Sequence, residues 1–169
     1  LPNKTLGVIG LGSIGIKVAN AGYDLGMKVL GFDPMITVNN AINLVPGVKK
    51  YDDLNEVLKK VDILTIHIPY KNETKDFISK NQINLMKNTS TIINLSREEI
   101  VNTDAVIEAL ENKKLKTYVT DFPNDSLIGN PDVLLLPHLG ASTKEAEANC
   151  AVMVANSIKS YLESGDIIN

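Results

Sequence analysis

The sequence predicts an α/β protein built as a doubly wound parallel sheet in a single domain. Apolar runs alternate with helix-period stretches along the whole chain, the pattern that specifies such a sheet. The runs are rich in Val, Ile and Leu with little polar alternation, which suits strands covered on both faces. The first run ends in Gly10-x-Gly12-x-x-Gly15, and an aspartate, Asp33, follows about twenty residues later.

Taken in order, residues 6–9 form the first expected strand, and residues 13–25 the helix after the glycines. Gly10 permits a tight strand-to-helix turn, Gly12 lets the backbone approach a pyrophosphate, and Gly15 lets helix and strand pack closely. The free N–H groups and positive dipole end of that helix favour an anion. Together these features predict a Rossmann-like dinucleotide-binding fold; the rival reading is a glycine-rich turn without a ligand. Residues 28–32 form the second strand, and residues 34–47 a patternless connection with turn signals at Asn39-Asn40 and Pro46-Gly47. Residues 51–60 are expected helical, with Asp52 and Asp53 near the start and Lys59 and Lys60 at the end, matching the helix dipole. Further strands are expected at 63–68, 91–95, 117–120 and 133–136. Helices are expected at 81–87, at 103–112 with Thr103 as N-cap, and at 142–163, stopping before Gly165. Residues 123–131 carry Pro, Asn, Asp, Ser and Gly and read as a loop.

Composition narrows the function. With 169 residues the chain holds one proper core, and 44% hydrophobic content is that of an ordinary globular protein. A net charge of −3 argues against a nucleic-acid partner, and no apolar stretch approaches membrane-spanning length. The single cysteine, Cys150, forms no internal disulfide, and its alanine-rich helical setting predicts a small core residue. A cytoplasmic setting fits this usage. The first core strand begins almost at Leu1 and no initiator Met precedes it, so the chain is expected to be a piece of a longer protein. No metal site is expected.

Every polar oddity falls just after a predicted strand, at the edge where such sheets bind ligands. Asp33 ends the second strand, placed to accept hydrogen bonds from the ribose hydroxyls of NAD and to repel the extra phosphate of NADP. Otherwise it is a loop aspartate capping a turn before Pro34. His67 contacts cofactor or substrate, or is simply a satisfied strand-end histidine, and Pro69 fixes the chain as it leaves the sheet. Arg97 follows the strand at 91–95 and is poor core material; its planar fork suits a carboxylate, unless it pairs with Glu98, Glu99 or Glu108. His138 sits in a loop between a proline and a glycine, where a ring near its natural pKa can exchange a proton with a hydroxyl; otherwise it is a loop histidine making local hydrogen bonds. Asp121 is placed to reach a nicotinamide carboxamide and Asp125 to orient His138; either is equally a solvated turn aspartate.

These segments carry a resemblance. Gly7-Val-Ile-Gly-Leu-Gly-Ser-Ile-Gly15, Gly31-Phe-Asp33-Pro34, His67-Ile-Pro69, Asn94-Leu-Ser-Arg97 and Pro137-His-Leu-Gly-Ala-Ser-Thr-Lys-Glu-Ala146 resemble the D-isomer-specific 2-hydroxyacid dehydrogenases over nearly all of the chain. Within that family the chain is most similar to the D-3-phosphoglycerate dehydrogenase branch. The resemblance implies NAD as cofactor and hydride transfer between a small 2-hydroxy or 2-oxo acid and NAD, as in the first step of serine biosynthesis. It implies Arg97 as the substrate-carboxylate ligand and His138 as the acid/base. It further implies Ser13 and Ile14 under the pyrophosphate, Asp33 on the ribose, and Leu95, Ser96 and Asp121 lining the nicotinamide side. Gly10, Gly12, Gly15, His67, Pro69, Arg97, His138, Gly140 and Ala141 are expected to complete the cofactor surface.

Two positions depart from the family's pattern. Glu98 stands where a glycine usually follows the arginine. The loop after the fifth strand, Asp121-Phe-Pro-Asn-Asp125-Ser-Leu, is shorter and lacks the usual glutamate, so the role of pairing with the histidine is carried onto Asp125. The family's second, lid-forming domain is expected outside this chain. The fragment alone is then expected to bind NAD(H), turn over poorly, and pair as a homodimer through this domain. Alternatives are a relative acting on glyoxylate, lactate or formate, and an NAD(H)-sensing corepressor-type module that does no chemistry.

Overall fold

A computed structural model describes residues 1–167. One compact unit, Leu1–Leu136, carries the sheet, and the residues from Pro137 on form a second. In the first unit the strands are β1 (Thr5–Ile9), β2 (Lys28–Phe32), β3 (Lys49–Tyr51), β4 (Ile63–Ile66), β5 (Thr91–Asn94), β6 (Thr117–Thr120) and β7 (Val133–Leu135). Its helices are α1 (Ser13–Asp24), α2 (Val38–Ile42), α3 (Leu54–Leu58), α4 (Lys80–Leu85) and α5 (Thr103–Glu111). All neighbouring strands are parallel, in the order β3-β2-β1-β4-β5-β6-β7. The chain winds outward from β1 to β3, then crosses back to β4 on the other side of β1. Connections leaving β1 and β4 therefore run opposite ways, and a crevice opens at their carboxyl ends.

Both faces of the sheet are covered at β1, β2 and β4. Leu6, Val8, Leu11, Ile16, Ala19, Met27 and Val29 form one core cluster, which brings the apolar face of α1 onto β1 and β2. Ile9, Leu30, Leu64, Ile66 and Ile92 meet Val57, Leu58, Ile83, Val106 and Leu110 in the other. Leu64 is fully buried, so truncation to alanine costs about 2–5 kcal/mol.

Several boundaries differ from expectation for physical reasons. Residues 49–51 pair with β2 as an edge strand, with Leu30 beside Lys49 and Phe32 beside Tyr51, so the helix expected from 51 begins only at Leu54. Its cap is Asp53, whose Oδ1 accepts the Asn55 N–H at 2.9 Å. Within 34–47, Thr37 caps the short helix α2 by accepting the Asn40 N–H. The strand ends expected at 68 and 95 stop at Ile66 and Asn94. Helix α4 opens on a capping box between Ser79 and Gln82. Asn102, not Thr103, caps α5: its Oδ1 accepts the Ala105 N–H at 2.9 Å, and an amide caps better than a threonine hydroxyl.

The second unit is a turn followed by α6 (Lys144–Ser164). Thr143 caps it by accepting the Ala146 N–H at 3.1 Å, and Gly165 ends it in a left-handed conformation at φ 76°. Cys150, expected in a core, is exposed, and no residue of α6 is buried. Within its own unit a single helix has no second layer to bury against. Among the described residues no helix is long and apolar enough to cross a membrane.

Candidate functional site

The crevice is built by the turn from β1 into α1. Gly10 adopts φ +86°, which a side chain resists, and its N–H bonds the Phe32 carbonyl at 2.9 Å. An added Cβ there would meet the His67 carbonyl at 2.6 Å. At Gly15 a Cβ would lie 1.8 Å from the Gly10 carbonyl oxygen, so the helix sits directly on its own turn. Gly12 is different: a Cβ there meets nothing within 4 Å, so open space lies over it. Gly12 caps α1 without a side-chain hydrogen bond, and no acidic residue occupies the first turn. The N–H groups of Ser13, Ile14 and Gly15 precede the first intrahelical bond, which runs from Ile16 to the Gly12 carbonyl at 3.0 Å. That end of α1 is therefore an electropositive, backbone-lined surface.

Asp33 faces it. Its Oδ2 accepts the Leu11 N–H and its Oδ1 the Met35 N–H, each at 2.8 Å. The carboxylate thus does cap a turn after Pro34, and it is fastened to the glycine loop as well. A cleft of about 430 Å³ opens here, lined by Gly10, Gly12, Asp33, Pro34, Met35, Asn40, His67, Ile68, Pro69, Lys71, Thr74 and Phe77. His67 Nε2 lies 3.0 Å from Thr65 Oγ1, and burial holds the imidazole below its ordinary pKa, so the ring is neutral at pH 7. Thr74 fixes the exit from β4, donating to the Pro69 carbonyl at 2.9 Å and accepting the Lys71 N–H at 2.7 Å.

Further along the same edge lie Leu95, Ser96 and Arg97. Leu95 is an exposed apolar side chain, and Arg97 is exposed at the start of a 3-10 turn, Glu98–Ile100. The segment hangs from Asn94, which is fully buried. Asn94 Nδ2 donates to the Arg97 carbonyl at 2.9 Å, while its Oδ1 accepts the Ser96 N–H at 3.2 Å and the Ser96 hydroxyl at 2.9 Å. Behind it stands the buried Tyr118, its phenol pushed up by burial. Among the described residues Arg97 pairs with none of Glu98, Glu99 and Glu108; Glu108 takes Lys80 at 2.5 Å, and the Arg97 guanidinium donates to the Ser96 carbonyl at 2.5 Å. Asp121 follows the end of β6, half-buried, and Asp125 is exposed on the loop beyond it. His138, Gly140 and Ala141 belong to the second unit, in an exposed turn where the Leu139 N–H bonds the Pro137 carbonyl at 2.9 Å.

Residues 1–140 match the family model of the D-isomer specific 2-hydroxyacid dehydrogenase, NAD binding domain. The chain belongs to this family. It is 38% identical over 168 residues to a D-3-phosphoglycerate dehydrogenase of Methanocaldococcus jannaschii, covering 96% of this chain and 32% of that protein. It is 37% identical to the D-3-phosphoglycerate dehydrogenase of Bacillus subtilis, covering 95% of this chain and 31% of the relative. The crystal structure of D-lactate dehydrogenase with NAD+ from Lactobacillus jensenii superposes with a TM-score of 0.81 at 29% identity, over 99% of this chain and 56% of that one. The chain thus spans about a third of the length of the curated relatives it matches.

The family's dinucleotide fits the residues present. The open space over Gly12 and the uncapped start of α1 suit a diphosphate, and the tethered Asp33 carboxylate suits a sugar diol. Asn94 was not singled out from sequence, although a polar residue closing the run Thr91-Ile-Ile-Asn94 is the signal that marks it. Asn40, Lys71 and Thr74 were likewise missed, because their place in the cleft depends on how the chain folds after β2 and β4.

Proposed function

We propose that this chain is the cofactor-binding half of an NAD-dependent 2-hydroxyacid dehydrogenase of the D-3-phosphoglycerate type, acting at the entry to serine synthesis in the cytoplasm. The observation that carries the reading is Asp33, bound to Leu11 across the mouth of the glycine turn. It favours a diol over a phosphate at that point.

In this reading Gly12, Ser13, Ile14 and Gly15 hold the diphosphate by backbone N–H groups, and Asp33 accepts the ribose hydroxyls. When bound, the nicotinamide ring is the hydride acceptor. Arg97 binds the carboxylate of the 2-hydroxy acid and orients its C2. His138 takes the hydroxyl proton as the C2–H bond breaks and returns it in the reverse direction. The neutral, half-buried His67 and the exposed Leu95 keep water from the ring side. A lid domain outside this chain and pairing of two copies through this one complete the proposal.

One observation favours a second reading, an NAD(H)-sensing module. The loop after β6, Asp121-Phe-Pro-Asn-Asp125-Ser-Leu, lacks the family's usual glutamate, and its Asp125 is exposed. Assay of the full-length protein against 3-phosphoglycerate, lactate, glycerate and glyoxylate, with and without His138→Ala, separates the two. Turnover on 3-phosphoglycerate, reduced at least about a hundredfold by the substitution, is expected. An unchanged rate in the variant refutes the acid/base role, and no turnover on any acid favours the sensor.

A further inference from the structure

Arg97 has little of its own to hold it. It is exposed, and among the described residues its guanidinium bonds only the neighbouring Ser96 carbonyl. Its next neighbour in sequence is a carboxylate, Glu98, the nearest competitor along the chain for any anion that the guanidinium is to bind. Yet Glu98 turns away. Its Oε1 accepts a hydrogen bond from Asn124 Nδ2 at 3.2 Å, out of the loop after β6.

The donor is well aimed. Asn124 Oδ1 accepts both the Ser126 N–H at 3.0 Å and the Ser126 hydroxyl at 2.6 Å, which fixes the amide with its NH2 group toward Glu98. Both segments are anchored nearby. Ile100, at the end of the 3-10 turn, is fully buried. Leu127 is 2% exposed, and its N–H bonds the Asn124 carbonyl at 2.9 Å. Two fixed loops therefore meet at one polar contact.

We propose that Asn124 is a positioning residue that sequesters Glu98 and so keeps the Arg97 guanidinium open to a substrate carboxylate. The proposal rests on the reading of Arg97 as the carboxylate ligand. Without the Asn124 amide, Glu98 rotates onto Arg97 and competes with substrate. The competition is that of an exposed ion pair, so its size is modest.

The test uses the full-length protein carrying this chain, as Asn124→Ala, Glu98→Gln and the double variant. Asn124→Ala raises KM for the 2-oxo acid about fivefold with kcat and the calorimetric Kd for NADH little changed, the ceiling for a surface ion pair. Adding Glu98→Gln restores KM to within about twofold, because a neutral amide does not compete for the guanidinium. A loss that Glu98→Gln does not rescue, or a KM unmoved by Asn124→Ala, overturns the proposal. A second readout is independent of turnover: the rate at which phenylglyoxal modifies Arg97, followed by peptide mass. Pairing with Glu98 stabilises the protonated guanidinium, so Asn124→Ala slows modification and the double variant restores it; equal rates in all forms overturn the proposal. A wild-type protein inactive on every acid refutes the functional reading instead, and the modification rates still decide the sequestration.

Discussion

Leu11 donates its backbone N–H to Asp33 Oδ2 at 2.8 Å, so the acid at the end of β2 is fastened to the glycine turn at the end of β1. Met35 holds the other carboxylate oxygen at the same distance. Each oxygen keeps a further acceptor direction, enough for the two hydroxyls of a ribose. A phosphate would instead meet a carboxylate that two backbone bonds prevent from swinging aside. NAD is therefore expected to bind at least about tenfold more tightly than NADP, and Asp33→Ala to weaken NAD by about tenfold while erasing the preference. Calorimetric titrations with both dinucleotides check this; equal affinities in the wild type defeat the assignment.

The glycines separate folding from binding. A methyl at Gly15 would sit 1.8 Å from the Gly10 carbonyl oxygen, a backbone atom that cannot yield without moving the turn. Gly15→Ala is expected to cost about 3 kcal/mol or more, read by urea unfolding. A methyl at Gly12 meets nothing, and its φ of −76° is open to alanine. Gly12→Ala should leave stability within about 0.5 kcal/mol and still weaken NAD, because the methyl occupies the space a diphosphate needs. A stable Gly12→Ala variant with undiminished NAD affinity would show that the space serves nothing.

What the sequence made legible follows from which forces dominate each element. The strands flanking the crevice are buried on both faces, so their composition alone marks them, and the glycine spacing marks the turn between them. Edge strand β3 escaped because Lys49 and Lys50 face solvent and only backbone pairing to β2 makes it a strand. Helix α2 buries nothing and carries no amphipathic signal. Cys150 was misplaced because an alanine-rich pattern tells that a helix forms, not what covers it. Within the candidate site, residues at strand ends were visible as polar interruptions of apolar runs. Asn124 acts through a partner 26 positions away, which spacing does not reveal.

Asn94 shows how much a single amide can hold. Its three bonds to Ser96 and Arg97 lie in a buried setting. Asn94→Leu keeps the volume but strips partners from the Arg97 carbonyl and the Ser96 N–H and hydroxyl, for an expected loss of about 2–4 kcal/mol. Asn94→Asp keeps the acceptor for Ser96 and loses only the donor, so it should be the milder change despite its charge entering a buried site. Urea unfolding ranks the two, and a leucine variant as stable as wild type would remove Asn94 from the frame.

His67 gives a pH signature. Burial lowers its folded pKa below 6.5, so between the two values only the unfolded chain takes up the proton. Its contribution to stability is then complete above about pH 6.5 and is lost as pH falls through the folded value. The ring resonances in two-dimensional NMR should titrate with a midpoint below 6.5, and a midpoint at or above that value would place the ring in solvent.

At the opposite edge of the sheet, Asp62 carries the acid-dependent part of the fold. Its Oδ2 accepts the Thr5 N–H at 2.8 Å and its Oδ1 takes Lys87 Nζ at 3.0 Å, with the side chain only 16% exposed. Burial alone would raise its pKa, but the Thr5 N–H and Lys87 outweigh burial and hold it below the usual 3.8. Because the folded value is the lower one, this stabilisation is complete above the unfolded carboxylate's pKa and disappears as pH falls through the folded pKa. Asp62→Asn keeps an acceptor for Thr5 and removes the charge facing Lys87. It should cost about 1–2 kcal/mol at pH 7 and progressively less as the wild-type carboxyl protonates in acid. Urea unfolding of both proteins across the acid range measures the difference, and a gap that stays constant as pH falls would mean that the carboxylate's charge contributes nothing.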